Sequence, residues 1–397
     1  MATQGEGGRV SRSQRGGRRI LVEDSAGRRP FMRGIMIHSL MARGVAFEDA
    51  FRTANEVRRR IGGLQVVPKG DIAKAVREIL GEEPFQEDRR LPLPASISVT
   101  GRGHEAPFSK GILSQSLLAA ALDPNDAFDV AREIERDLVA RRIQQVQRHD
   151  LRRRAYETIS REIGAHTAER YMVWRRYQHG DRPVIILLGG AAGVGKTSLA
   201  LEVAHRLGIG RVLSTDSIRQ IMRLVLSPEL VPALHGSSYD AHRQLGPESL
   251  GEDPVIEGFR AQTATVSVGL RASMDRAVAE NASMVLDGVS IVPGLVDLGA
   301  YAELAHVVFL VIACLDEEAF PKRFEAREAG EKHRGMHRYL ENLDAILKIQ
   351  DHFLDVADRY DVPIVDNDSF DRSVLFIVRH VTETLRKRAD FSATEML

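Results

Sequence analysis

Gly190, Ala191, Ala192, Gly193, Val194, Gly195, Lys196, Thr197 and Ser198 follow one another in the chain. Their spacing is G-x-x-x-x-G-K-[ST], in which each residue type has a physical task. Glycines let backbone N–H groups converge on phosphate oxygens, and the N-terminus of a following helix adds partial positive charge. Lys196 then reaches the outer phosphates of a nucleoside triphosphate, and the Thr197 hydroxyl is a ligand for Mg²⁺. The context fits. The apolar run 184–188 precedes the loop as a strand buried on both faces would, and Leu199, Ala200, Val203, Ala204 and Leu207 follow at helical spacing up to Gly208.

Acids stand at two further places where such a site needs them. Arg211-Val212-Leu213-Ser214-Thr215-Asp216 and Met284-Val285-Leu286-Asp287-Gly288 each read as a short strand running into an acid. Open α/β sheets bind ligands at that end of their strands. Asp216 either accepts the proton of a substrate hydroxyl, binds Mg²⁺ through water, or caps a helix starting at Ser217. Asp287 divides between the outer shell of Mg²⁺ and substrate binding. Arg323 and Arg327 are spaced i,i+4, as are Arg334 and Arg338, and paired guanidinium groups suit the charge on a transferring phosphoryl group. This segment reads as a lid between the fourth and fifth strands, with Arg327 and Arg334 as its catalytic members. About 8 of the 55 basic residues are lysines, so Lys196 carries more information than any single arginine. His333 and His337 fall in the same lid, and Cys314 reads as an inert core residue.

The elements that must position these groups emerge from the same periodicities. Five strands, at 184–188, 212–215, 284–287, 306–314 and 363–365, alternate with helices, which predicts an α/β, doubly wound parallel sheet. The N-terminal part is duplicated. Pro30-Phe31-Met32-Arg33-Gly34-Ile35 recurs as Pro107-Phe108-Ser109-Lys110-Gly111-Ile112, an offset of 77 residues, and Asp49-Ala50-Phe51 recurs as Asp126-Ala127-Phe128. Each unit reads as a short strand, a glycine-containing turn and two helices. A helix is expected over 70–80, a linker over 81–94, and a long charged helical stretch over 144–178. The predicted organisation is a disordered basic tail (1–18), one small, mainly α-helical repeat (19–90), a second with a connecting helix (95–178), and a phosphate-loop domain (181–397).

Composition narrows the function classes. Lys+Arg and Asp+Glu both number 55, so the basic surplus of a dedicated nucleic-acid binder is missing. That neutrality is a cancellation, because the first sixty residues hold about thirteen arginines against six acids. A hydrophobic share of 43% suffices for packed cores. The longest apolar stretches are about nine residues, half of a membrane span. One cysteine rules out a disulfide framework and a cysteine-based zinc site within one chain. A cytoplasmic protein acting on anionic small molecules, without nucleic acid or membrane, is the expectation.

Several strings together resemble the 2-phosphoglycerate kinase family. They are Arg182-Pro183-Val184-Ile185, the phosphate loop, Ser214-Thr215-Asp216-Ser217-Ile218-Arg219, His235-Gly236-Ser237-Ser238-Tyr239-Asp240, Asp287-Gly288-Val289 and Arg338-Tyr339. The resemblance implies ATP-dependent phosphorylation of 2-phosphoglycerate to 2,3-bisphosphoglycerate. It also implies acceptor contacts from Arg219, Ser237, Ser238, Tyr239 and Arg260. The N-terminal repeats resemble the ATP-cone, a regulatory nucleotide-binding module, in which a basic residue beside the turn contacts phosphate; Arg33 and Lys110 hold that place. Rival readings are a kinase for another phosphorylated metabolite, such as a sugar, nucleotide-sugar or inositol phosphate, and a nucleotide-sensing regulator.

Overall fold

The computed structural model describes residues 20–24, 27–41, 45, 47–81, 97–101, 103–178, 180–246, 252–321 and 339–388. The tail 1–18 and most of the linker 81–94 lie outside them. The chain forms two compact units, Met1–Ala95 and Ser96–Leu397.

The sequence duplication is also a duplication of topology. The first repeat runs β1 (Leu21–Asp24), β2 (Gly27–Pro30), α1 (Arg33–Met41), α2 (Phe47–Ile61), β3 (Val66–Pro68) and α3 (Lys69–Leu80). The second runs β4 (Ser98–Gly101), β5 (His104–Pro107), α4 (Lys110–Leu117), α5 (Pro124–Ala140), β6 (Gln145–Gln147) and α6 (Arg148–Glu162). Each begins with an antiparallel hairpin whose first strand also pairs, in parallel, with the strand after the helix pair, giving the orders β2-β1-β3 and β5-β4-β6. The repeat is therefore larger than the strand-and-two-helix unit expected from the sequence. Equivalent apolar residues fill the two cores: Leu40 and Leu117, Ala50 and Ala127, Val57 and Ile134, Ile61 and Leu138 are all buried.

The expected long helix over 144–178 is not continuous. Residues 145–147 pair as β6, and Gly164, at φ 138°, ends α6 before α7 (Ala165–Tyr177) begins. The break matters, because α7 faces two cores. Its Ala168, Tyr171 and Met172 close the core of the second repeat. Its Val173, Trp174 and Tyr177 enter the core of the parallel-sheet region.

That region holds β7 (Val184–Gly189), α8 (Lys196–Leu207), β8 (Val212–Ser214), α9 (Thr215–Val225), α10 (Pro254–Ala279), β9 (Met284–Gly288), β10 (His306–Ala313), α11 (Leu343–Arg359), β11 (Ile364–Asp366) and α12 (Phe370–Arg388). The five strands lie in the order β11-β10-β7-β9-β8, all parallel. Strand β7 is buried along its whole length and splits its side chains between two cores. Val184, Ile186 and Leu188 pack with Leu199, Val203 and Ile377, whereas Ile185 and Leu187 pack with Leu270 and Met274. That two-sided burial is the doubly wound arrangement the apolar run predicts.

Trp174, the chain's single tryptophan, fixes the joint between α7 and the phosphate-loop helix: it is 1% exposed and its indole N–H donates to the Leu207 carbonyl at 3.0 Å. Trp174→Ala is expected to destabilise the fold by about 3–5 kcal/mol, as a large buried aromatic truncation does. Trp174→Phe keeps most of the volume and should cost less, about 1–3 kcal/mol for the carbonyl left without its donor. Denaturant titration followed by circular dichroism measures both.

Candidate active site

The phosphate loop leaves β7 and delivers its lysine as the first residue of α8. Lys196 is 7% exposed, and its Nζ donates to the Ala191 carbonyl at 2.6 Å, so the ammonium is held across the mouth of its own loop. Strand β9 pairs with β7 so that Asp287 lies opposite Leu188, and with β8 so that the same residue lies opposite Ser214. Asp287 is thereby placed between the loop and the strand that leads to Asp216.

The Thr197 hydroxyl donates to Asp287 Oδ2 at 2.7 Å. Asp287 is 1% exposed, and burial pushes its carboxyl pKa up. The Thr197 hydrogen bond and the Lys196 charge oppose that shift, while Asp216 adds to it. Its second oxygen, Oδ1, has no hydrogen-bond partner among the described residues. A buried carboxylate oxygen left open beside a threonine hydroxyl is a hard-oxygen donor pair that fits Mg²⁺. No group of three or more His, Cys, Asp or Glu gathers among the described residues, at this site or any other, in a way that could hold a metal by itself. A cation here would draw its remaining ligands from phosphates and water.

Two elements meet closely at this point. A Cβ on Gly288, at φ 151°, would overlap Thr215 Oγ1. Only glycine lets the end of β9 pass the first residue of α9 so tightly. The sequence left open whether Asp216 caps a helix beginning at Ser217. The helix in fact begins at Thr215, and its cap is Ser214, whose Oγ accepts from the Ser217 N–H at 3.2 Å. Asp216 lies in the first turn, half-exposed, and its Oδ1 accepts from Arg219 Nη2 at 3.0 Å.

Arg219 reaches further. Its Nη1 donates to the Gly236 carbonyl at 2.5 Å, and the same oxygen accepts from Arg223 Nη2 and Gln262 Nε2, both at 3.1 Å. Arg223 also donates to Leu234 O, and Gln262 to Ala233 O, each at 2.7 Å. The segment carrying Ser237, Ser238 and Tyr239 is thus fastened to α9 and α10. Asp240 accepts from the Ser237 N–H. Ser238 and Tyr239 are buried, and the Tyr239 ring lies 5.9 Å from that of Tyr339, edge to face.

The contacts therefore join the loop residues 190–198, Asp287, Asp216, Arg219 and the Ser237–Tyr239 turn into one group. Arg260 is not joined to it: its half-exposed guanidinium meets Glu257 at 3.3 Å and lies near His352 of α11. Arg327 and Arg334 lie outside the described residues. Sequence reasoning missed Thr215, Arg223, Gln262 and Asn367, whose side-chain amide donates to the Val194 carbonyl at 2.9 Å. The i,i+4 spacing of Arg219 and Arg223 was a usable signal; nothing local marked Gln262.

No protein-family model matches the chain. The chain is similar to 2-phosphoglycerate kinase of Methanopyrus kandleri, 37% identical over 315 residues that cover 79% of this chain and 95% of that protein. It is also similar to 2-phosphoglycerate kinase of Methanocaldococcus jannaschii, 37% identical over 296 residues, 75% of this chain and 94% of that protein. Among solved structures, shikimate kinase from Bacteroides thetaiotaomicron is 19% identical at a TM-score of 0.29, covering 51% of this chain and 98% of that one. Likeness at that level carries no functional argument.

Asp287→Asn replaces the buried charge while keeping an acceptor for Thr197. In nucleotide-free, metal-free buffer at pH 7 the variant is expected to melt about 2–4 °C higher. The folded protein binds the Asp287 proton more tightly than the unfolded chain does. The cost of the buried charge is therefore absent in acid and appears as pH rises through the raised pKa. The advantage of the variant should accordingly shrink toward pH 4. Phosphoryl transfer should fall by roughly 100-fold, because the oxygen suited to the cation is gone. Calorimetric scans across pH and an ADP-release assay check the two halves.

Proposed function

The chain belongs to the 2-phosphoglycerate kinase family, and on that premise we propose that it transfers the γ-phosphoryl group of ATP to the 3-hydroxyl of 2-phosphoglycerate, giving 2,3-bisphosphoglycerate and ADP. The observation that carries this reading is the Thr197 hydroxyl bonded to buried Asp287 at the carboxyl end of β9, beside Lys196 in the first turn of α8. The acceptor brings a carboxylate and a phosphate up to a triphosphate, so several negative charges crowd together. Catalysis in such a case is mostly positioning and electrostatics.

Each group then has its own role. The loop amides, the N-terminus of α8 and Lys196 hold the triphosphate. Thr197, and Asp287 through its open oxygen, would hold Mg²⁺, which when bound neutralises charge between the phosphates. The acceptor oxygen attacks the γ-phosphorus as the bond to the leaving ADP oxygen breaks, and half-exposed Asp216 takes the hydroxyl proton. Arg219 contacts both Asp216 and Gly236, so it sets the distance between the base and the Ser237–Tyr239 turn, where the anionic acceptor is proposed to bind. An ADP-release assay over phosphorylated hydroxy acids, sugars and inositol phosphates tests the acceptor. Turnover of 2-phosphoglycerate should be fastest, and Lys196→Ala should lower it by roughly 100-fold or more. A rate with 2-phosphoglycerate no greater than background ATP hydrolysis would sink the assignment.

The repeats are proposed to bind a regulatory nucleotide, as the ATP-cone resemblance suggests, with a difference between them. In each, the cation that opens the first helix lies over a phenylalanine of the second: Arg33 is 5.3 Å from the Phe51 ring centroid and Lys110 is 5.6 Å from that of Phe128. Arg33 donates to the neutral Asn55 at 2.7 Å, whereas Lys110 is ion-paired with Glu135 at 2.7 Å. A phosphate at Lys110 must displace or tolerate a carboxylate, and one at Arg33 need not. In a Lys196→Ala background, ATP binding measured by calorimetry should therefore weaken more with Arg33→Ala than with Lys110→Ala. Equal effects would remove the distinction.

A further inference from the structure

We infer that Asn367 is a positioning residue for the phosphate loop, and that its side-chain amide sets the direction in which the Gly195 N–H points. The inference rests on the reading of residues 190–198 as the nucleotide site.

Val194 lies between Gly193 and Gly195, at φ 86° and 89°. Backbone flanked by two glycines in that region has few steric reasons to keep one orientation. Its side chain is fully buried, which fixes the Cα but leaves the peptide planes on either side free to rotate. The following peptide, Val194 to Gly195, is trans, as are all the described peptide bonds. In a trans peptide the C=O and the N–H point in opposite directions. Whatever holds the Val194 carbonyl on one side of the loop therefore turns the Gly195 N–H to the other.

Asn367 supplies that hold. Its Nδ2 donates to Val194 O at 2.9 Å. The side chain is 5% exposed, and its own backbone N–H donates to the Ala313 carbonyl at 2.9 Å, so the amide is braced against the end of β10. The next peptide is set by the helix, since the Gly195 carbonyl accepts from the Leu199 N–H at 3.2 Å and leaves the Lys196 N–H at the helix N-terminus. Two successive N–H groups are thus oriented from two sources, one by α8 and one by a residue 173 positions away in sequence. Successive, co-directed N–H groups are what an anion-binding loop requires.

Nucleotide binding to the full chain separates this role from mere packing. The probe is a non-hydrolysable ATP analogue with Mg²⁺, measured by calorimetry, and the relevant signal is the component that Lys196→Ala abolishes. Asn367→Ala should weaken it by about five- to tenfold, the worth of one neutral hydrogen bond. Asn367→Asp has the shape of asparagine but at pH 8 presents only acceptors to the Val194 carbonyl, so it should weaken binding at least as much. A packing role ranks the variants the other way, with Asp close to wild type. The KM for 2-phosphoglycerate should stay within about twofold in both, since the acceptor does not touch this peptide. Wild-type affinity in Asn367→Asp, or acceptor KM rising in step with the nucleotide Kd, would overturn the inference. If the wild-type chain itself has no Lys196-dependent binding, the reading of the loop falls and takes this inference with it. Normal wild-type binding with an unaltered Asn367→Ala removes the positioning role alone.

Discussion

The arrangement depends on one constraint: a carboxylate, Asp287, has been taken out of water and only half satisfied. Burial of a charge is costly unless it is paired. Thr197 occupies one oxygen, and Lys196 lowers the cost without ending it. Nothing in ordinary packing favours such a residue at the end of a central strand, where Leu286 and Val285 beside it are wholly buried. The unpaired oxygen costs stability, and it is the atom through which the proposed function has Asp287 hold a cation. The close pass of Gly288 against Thr215 belongs to the same constraint, because it brings the first turn of α9, which carries Asp216, close to the end of β9.

The two repeats share a topology but not a setting. In the second, α7 lies across the repeat and the sheet domain together, and its polar groups are spent on that junction. Arg170, 6% exposed, donates to the Ala120 carbonyl at 3.1 Å and lies 3.8 Å from Glu383 of α12. The Tyr177 hydroxyl donates to Leu385 O at 3.0 Å. A buried cation with a backbone acceptor on one element and a carboxylate on another resists sliding of either. The first repeat forms its own unit, with a core closed by its own residues, including Val67, Ile72 and Val76.

The phosphate loop and the parallel sheet were legible because their signals are local. A fixed spacing of glycines, a lysine and a threonine sits between a five-residue apolar run and a helix. The duplication was legible as an offset and the helix over 70–80 was expected, yet the third strand was not, nor that this helix belongs to the repeated unit. Strands of three residues such as Val66–Pro68 and Gln145–Gln147 are too short for alternation to register. The same shortness hid β6 inside a charged stretch that reads as one helix. The cap of α9 is Ser214, two residues before the Asp216 that the sequence offered, since serine and aspartate are equally good cap types and only the hydrogen bond tells them apart. Gln262 and Asn367 were invisible for another reason: each acts on a carbonyl distant in sequence, and no pattern in one sequence encodes such a pairing.

Those invisible residues share a mode of action. Loops at the ends of parallel strands cannot satisfy their carbonyls with a neighbouring strand, and buried carbonyls must be satisfied. Here long polar side chains do it. Lys196 reaches Ala191, Asn367 reaches Val194, and Arg219, Arg223 and Gln262 share Gly236. Gln350 goes further and pairs both its amide groups with the backbone of Cys314, at 2.9 and 3.0 Å, as an extra strand would. Each such bond fixes a peptide plane and with it the opposite N–H, so the set of buried side chains decides which way the loops' donors face. Asn367 and Gln262 thus shape the proposed anion site from positions outside the phosphate loop and the Ser237–Tyr239 turn. Their placement explains why the site's chemistry can be read from a nine-residue string while its precision resides in side chains scattered over the C-terminal half of the chain.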